Sequence, residues 1–337
     1  MDKKTFKYAS EFAVLMYLDT YQILQQTELE IYGKTQTAFT ENNPCNIYFI
    51  LRRPKVTLDP KYCIKDKNSF ELRYFIHEQD KKHERKFRTK INTEKYDFYT
   101  EYPYNYFGLI NKNNPNLNRY YKLAVIVDTI HGKSNTVEPL LDLEVLYIGQ
   151  AFGEDGKRTA IDRLASHSTL QMIYSEAMQR NPDSEIWILL ASFKQKNIST
   201  MNGFISMPEE NEKDDFARWM NFNNGENPFT EKQKINFTEA ALIRTFLPQY
   251  NKEFKDTFPN PAHSSYSECY SLDINAIVVE LDMTETRRWL YSDLKPREIN
   301  EKGLSIPYYQ YGKFYFVNDE DRYKIFNHEY LGKKDNE

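Results

Sequence analysis

The sequence is poor in cysteine, in histidine and in long apolar runs. Its three cysteines, Cys45, Cys63 and Cys269, lie far apart and form no Cys-x-x-Cys pair. That argues against a structural zinc site and a disulfide framework, and it favours a reducing, cytoplasmic setting. Five of the six histidines, His77, His83, His131, His263 and His328, stand at no metal-ligand spacing. The apolar stretch Phe12–Tyr17 is too short to span a bilayer. No small-residue cleavage site follows it, so neither a membrane partner nor a signal peptide is expected. An excess of positive charge is also missing: the formal net charge is −4. Nucleic-acid binding would therefore have to use local patches rather than a global field. Glycine is scarce, at 11 residues, yet Gly149, Gly153 and Gly156 fall close together and mark an irregular loop.

What the chain does have is apolar and aromatic material for a core. Apolar residues make up 40% and aromatics 15%, and charged residues of both signs reach 28%, as on a globular surface. A length of 337 residues suggests two or three domains. Residues 1–105 read as a β-rich N-terminal domain for target or partner recognition, with strands expected at Asn46–Leu51, Glu71–His77 and Glu84–Ile91. Phe12–Leu24 fits a buried strand or a helix. An Asn-rich, Pro-containing connector follows, and then a region spanning 117–252. There Lys122–Thr129 and Leu143–Ile148 read as strands, Thr159–Arg180 as a helix, and Glu185–Ser192 as a buried strand. Residues 194–234 read as an inserted polar loop. Thr238 is the expected N-cap of a helix over Glu239–Phe246. Residues 253–337 form a C-terminal extension in which Ala276–Leu281 is a strand.

Four short pieces in this region carry chemistry. Tyr147-Ile148-Gly149 ends a strand beside the Gly-rich loop. Arg163 and His167, at i and i+4, project from one face of a helix and can grip a phosphate and handle a proton. Glu239 shares the core side of its helix with Leu242, Ile243 and Phe246, where a lone carboxylate can hold a divalent cation. Asn251 follows Pro248 in a turn. Each has a plain structural explanation when taken alone: a strand tyrosine, a solvated helix face, a helix-dipole partner, a turn residue.

Taken in order, these pieces resemble the GIY-YIG nuclease superfamily. Tyr147-Ile148-Gly149 matches the second half of the name motif, Arg163 and His167 the helix pair, Glu239 the metal-binding glutamate, and Asn251 the asparagine after that helix. The first motif departs from the pattern. The candidate strand reads Tyr121-Lys122-Leu123-Ala124-Val125-Ile126-Val127, so either Tyr121 stands in for its tyrosine or that tyrosine is absent. The resemblance implies an α+β fold, a small mainly antiparallel sheet flanked by helices, preceded by the β-rich domain. It also implies hydrolysis of phosphodiester bonds with Mg²⁺ or Mn²⁺ held by Glu239. Tyr147 would act on the attacking water, Arg163 on a phosphate oxygen, and Asn251 as an orienting group. Lys157 and Arg158 ahead of the helix are lesser phosphate contacts.

Lys86 and Arg88 belong to the basic run Lys81–Lys90, which reads as a solvated hairpin or as a phosphate-backbone contact. The expected protein is a DNA-directed endonuclease, of a kind suited to restriction or phage defence, with a homodimer as a plausible assembly. The alternative is a nuclease-fold module that has weak or no activity and binds nucleic acid or protein. The missing first tyrosine and the acidic stretch around Glu209–Asp215 motivate that alternative.

Overall fold

The computed structural model describes residues 6–29, 31–32, 38–40, 42–133, 138–152, 160–164, 168–201, 206–223, 229–255, 258, 274–297 and 308–316. In chain order its elements are β1 (Ser10–Leu24), β2 (Ile47–Pro54), β3 (Val56–Asp66), β4 (Ser69–Glu78), β5 (Lys81–Lys90), β6 (Tyr96–Tyr99), β7 (Tyr106–Asn111), β8 (Arg119–Lys122) and helix α1 (Leu123–Lys133). Then come β9 (Leu143–Gln150), α2 (Ala160–Leu164), α3 (Ser168–Arg180), β10 (Ser184–Met201), α4 (Glu212–Asn223), α5 (Glu231–Phe246), β11 (Ala276–Asp282), β12 (Leu290–Tyr291) and β13 (Tyr309–Tyr315). The fold is mixed α and β, of α+β type. Among the described residues no helix is long and apolar enough to cross a membrane.

Seven strands form one sheet in the order β12-β9-β2-β10-β1-β11-β13, and β3-β4-β5 and β6-β7-β8 form two smaller ones. In the large sheet β1–β11 and β9–β12 run parallel and the other pairs antiparallel. The sheet crosses the boundary expected near residue 105. β1 and β2 come from the N-terminal stretch, yet β2 sits between β9 and β10. The C-terminal strand β11 joins this sheet between β1 and β13.

The central strands are apolar on both faces because both faces are covered. Side chains alternate with period two along a strand. Ile47, Phe49 and Leu51 of β2, with Trp187, Leu189 and Ala191 of β10, therefore enter one core, which α5 closes with Leu242 and Phe246. Tyr48 and Ile50, with Ile186, Ile188 and Leu190, enter the opposite core, closed by Leu164 of α2 and by Leu170 and Ile173 of α3. A continuous apolar run is what a strand buried on two sides requires.

Three expected elements differ. Lys122–Thr129 is not a strand: β8 ends at Lys122 and α1 starts at Leu123. Its β-branched residues favour a strand locally, but Leu123, Ala124 and Val127 are buried while Val125 is exposed, a helical spacing that tertiary packing enforces. The helix expected from Thr238 begins eight residues earlier, at Glu231. Thr230 is the N-cap in a capping box with Gln233. Thr238 is mid-helix and donates its hydroxyl to the Lys234 carbonyl at 2.7 Å. Finally, the stretch 194–234 holds the end of β10, all of α4 and the start of α5. The acidic residues of α4 serve packing. Asp215 accepts from the Ala9 and Ser10 amides at 3.2 and 3.1 Å, Tyr8 bonds Asp214, and Phe222 stacks on Phe12 at 4.3 Å.

Candidate active site

β2 and β9 lie side by side, with Tyr48 opposite Gly149, Phe49 opposite Ile148 and Ile50 opposite Tyr147. The register then slips, and Leu51 pairs with Val145. Leu146 is the extra residue of this bulge. A bulge re-aims the side chains beside it, and here Leu146 and Tyr147 both face the core that contains Tyr48. The two tyrosine rings are 6.2 Å apart. Gly149 makes their packing possible: a Cβ there would lie 2.5 Å from Tyr48 Cζ and 2.8 Å from Tyr147 Cε1. Arg163, in α2, donates from Nε to the Tyr48 hydroxyl at 3.2 Å. The helix is tied in place at its start, where the Ala160 amide donates to the Cys45 carbonyl at 3.1 Å.

From the other side α5 brings Glu239, buried in the middle of the helix rather than in its first turn. Gln150, the residue after Gly149, links the two elements. It hydrogen-bonds Glu239 and donates Nε2 to Asn236 Oδ1 at 2.8 Å. Asn251 fixes the strand. β12 pairs only with Leu143 and Glu144, which leaves the rest of that edge of β9 open. Asn251 fills it like a further strand: the Ile148 amide donates to Asn251 Oδ1 at 2.9 Å, and Asn251 Nδ2 donates to the Ile148 carbonyl at 2.8 Å. The Tyr250 amide adds a bond to the Leu146 carbonyl at 3.0 Å. Asn251 thus holds the strand that carries Tyr147.

Tyr147, Gln150, Arg163, Glu239 and Asn251 line one open cleft of about 810 Å³, which Lys232 also borders. Tyr147 faces the cleft, and Tyr48 lies fully buried behind it. Burial pushes the Glu239 carboxyl up to about 7, with Arg163 and the Gln150 bonds only partly opposing it. Burial, then the Glu239 charge, raises the Tyr147 hydroxyl, while Arg163 and a hydrogen bond from Tyr48 pull it down. Tyr48 is also raised, by burial and then by Tyr147, against Arg163.

Of the residues expected at the site, Tyr147, Arg163, Glu239 and Asn251 converge here. His167, Lys157 and Arg158 lie outside the described residues. Lys86 and Arg88 are on β5, away from the cleft lining. Arg88 meets Glu71 at 2.8 Å, and Lys86 sits 4.8 Å over the Tyr62 ring. Sequence reasoning missed Tyr48 and Gln150. Asn46-Ile47-Tyr48 was there to be read as a near match to Gly-Ile-Tyr, but 98 residues separate Tyr48 from Tyr147.

Among the described residues no group of three or more His, Cys, Asp or Glu side chains comes together. The cleft lining does bring two carboxylates together, Glu239 and Glu253, and the Glu253 charge adds to the rise of the Glu239 carboxyl. The oxygens that line the cleft come from the Glu239 and Glu253 carboxylates and the Tyr147 hydroxyl. With Glu239 undercompensated in its buried position, they suit a hard divalent cation. No protein-family model, curated protein or solved structure matches the chain.

Proposed function

We propose that the chain is a metal-dependent endonuclease that hydrolyses phosphodiester bonds, in DNA rather than RNA, on a framework resembling the GIY-YIG superfamily. The observation that carries this reading is that Tyr48, at the end of Asn46-Ile47-Tyr48, lies directly opposite Gly149 of Tyr147-Ile148-Gly149 on neighbouring antiparallel strands, with Arg163 and Glu239 lining the cleft that Tyr147 faces. Tyr48, and not Tyr121, then takes the first-motif place; Tyr121 pairs with Phe107 in a separate small sheet. The nuclease core on this reading is β2 with the elements from β9 to α5, and residues 55–142 are an insertion between its two tyrosine strands.

Glu239 would hold Mg²⁺ or Mn²⁺, which would supply charge neutralisation at the leaving oxygen. Tyr147, the tyrosine open to the cleft, takes the proton from the attacking water. Burial and then the Glu239 charge oppose its phenolate, and Arg163 and the bond from Tyr48 favour it. Neutralising Glu239 therefore prepares Tyr147 as well. Arg163 is placed to hold a non-bridging phosphate oxygen while it positions Tyr48. Asn251 keeps the tyrosine strand in register. His167, Lys157 and Arg158 remain candidate phosphate contacts on the segments flanking α2. One cleft per chain means that cutting both strands takes a homodimer or two successive nicks. A cytoplasmic restriction or phage-defence role is compatible with this layout.

Nicking of a supercoiled plasmid tests the reading. The expected result is nicking with Mg²⁺ or Mn²⁺, none with chelator, and strong loss in Tyr147→Phe. Nicking that is unchanged in Tyr147→Phe would remove Tyr147 from the mechanism.

A further inference from the structure

The small sheet β3-β4-β5 has an outward face that the cleft does not use. Residues 61–90 hold ten Lys and Arg against five Asp and Glu, in a chain whose net charge is −4. The whole sheet, residues 56–90, holds ten of the chain's 45 Lys and Arg against six Asp and Glu, a local positive excess. Along β5 the alternation is clean. Phe87 is buried inward and Arg85 reaches inward to Glu138, while Lys82, Lys86, Arg88 and Lys90 are exposed on the other side. β4 adds Arg73 in register with Lys86.

Some of this charge is neutralised locally. Arg73 pairs with Asp59 and Glu84, Lys86 with Glu84 at 4.0 Å, and Arg88 with Glu71 and Asp66. Lys67, Lys81, Lys82 and Lys90 are exposed and carry no ion pair among the described residues.

We propose that this face docks the sugar-phosphate backbone of duplex nucleic acid, apart from the cleft that cuts it. The choice of nucleic acid among polyanions rests on the nuclease reading; the cationic face does not. Two features favour a duplex over a single strand. The two rings on this face are both taken up by cations: Tyr62 lies under Arg73 at 4.5 Å and Lys86 at 4.8 Å, and Arg73 also lies 5.9 Å from the half-buried Phe75 ring, which leaves little platform for unstacked bases. The ten residues of β5 also extend roughly 33 Å, close to one turn of B-form DNA at about 34 Å. The face is held rigidly to the nuclease core. β3 follows β2 after the single residue Lys55, whose amide donates to the Asp183 carbonyl at 2.8 Å and whose carbonyl accepts from His77 at 3.0 Å. A duplex held here keeps a fixed offset from Tyr48 and Tyr147.

The test is binding without cutting: fluorescence anisotropy of a mixed-sequence duplex of about three helical turns, in chelator, on the Glu239→Ala protein. Salt is varied between about 0.05 and 0.2 M. The comparison protein adds Lys82→Gln, Lys86→Gln and Lys90→Gln, all exposed positions, with thermal melting to confirm the fold. Loss of these phosphate contacts should weaken duplex binding about tenfold or more and make the log–log salt slope shallower by about 2 to 3. Unchanged affinity and slope would overturn the proposal, as would single strands bound as tightly as the duplex. Duplex binding that depends on these lysines in a protein that nicks nothing upholds the docking face and sinks the nuclease reading alone.

Discussion

Replacing Asn251 by Ala should damage the tyrosine strand from its edge. The Asn251 amide makes two hydrogen bonds to one residue, accepting from the Ile148 amide at 2.9 Å and donating to its carbonyl at 2.8 Å. Both partners are buried, since Ile148 is fully enclosed and Asn251 nearly so. Truncation leaves a donor and an acceptor without partners, at about 1–3 kcal/mol each. The expected loss is about 2–4 kcal/mol, toward the lower end if water enters the space. For a chain of this size that corresponds to a fall in Tm of roughly 3–6 °C. Equilibrium denaturation gives the free energy, and amide hydrogen exchange reads the Ile148 N–H directly. Catalysis should fall further than stability, because Tyr147 is carried on the freed strand and a small misplacement of a reacting group costs about 10²-fold. A stability change below about 0.5 kcal/mol, with unchanged protection at Ile148, would refute the clamp.

Three further outcomes follow from the same cleft. In Gly149→Ala the new Cβ would press on both tyrosine rings. Overpacking of this kind costs about 1–3 kcal/mol, and nicking should fall by more than the melting shift explains; full activity would mean the tyrosine pair has no role. Arg163→Ala removes the charge that lowers both tyrosines, so the pH–rate profile should shift to higher pH, and an unmoved profile would contradict the coupling. Glu239 ionises near 4.5 in the unfolded chain and at about 7 in the metal-free fold. The folded state therefore holds its proton more tightly, and the stability it contributes is complete below the lower value and lost as pH rises through the higher one. That loss is about 3 kcal/mol. Denaturation of the metal-free wild type and Glu239→Gln should show the variant gaining relative stability between about pH 5 and about pH 8; a difference independent of pH would contradict the shift.

How much of this was legible in the sequence depends on how local each signal is. Tyr147-Ile148-Gly149, Arg163, Glu239 and Asn251 could be read because each sits in a short motif on one element. The strand cores of β2, β4, β9 and β11 could be read because burial on one or two faces leaves a period-two or continuous apolar pattern. Tyr48 could not be found the same way. Its strand meets β9 through long-range hydrogen bonds, and the whole of β3 to α1 lies between the two motifs. Tyr121, the nearest tyrosine upstream of Tyr147, is the one that local sequence offers. Leu123–Lys133 misled for another reason: its residues favour a strand, and only contacts with distant elements make it a helix. One such contact joins Asp128 of this helix to Arg53 and Arg288, at 2.8 Å each. The start of α5 was missed because Thr238 followed by Glu239 resembles a cap, whereas the capping box Thr230–Gln233 lay in a stretch taken for a loop. The bulge at Leu146 has no sequence signature. It exists only as a mismatch of register between two strands.

The most direct measurement is cleavage of double-stranded DNA with Mg²⁺ by the wild-type protein and by Glu239→Ala, each with its metal-free control. The account predicts metal-dependent cutting that the substitution abolishes while the protein stays folded. Cutting that survives intact in Glu239→Ala would contradict it and move the chemistry away from this cleft.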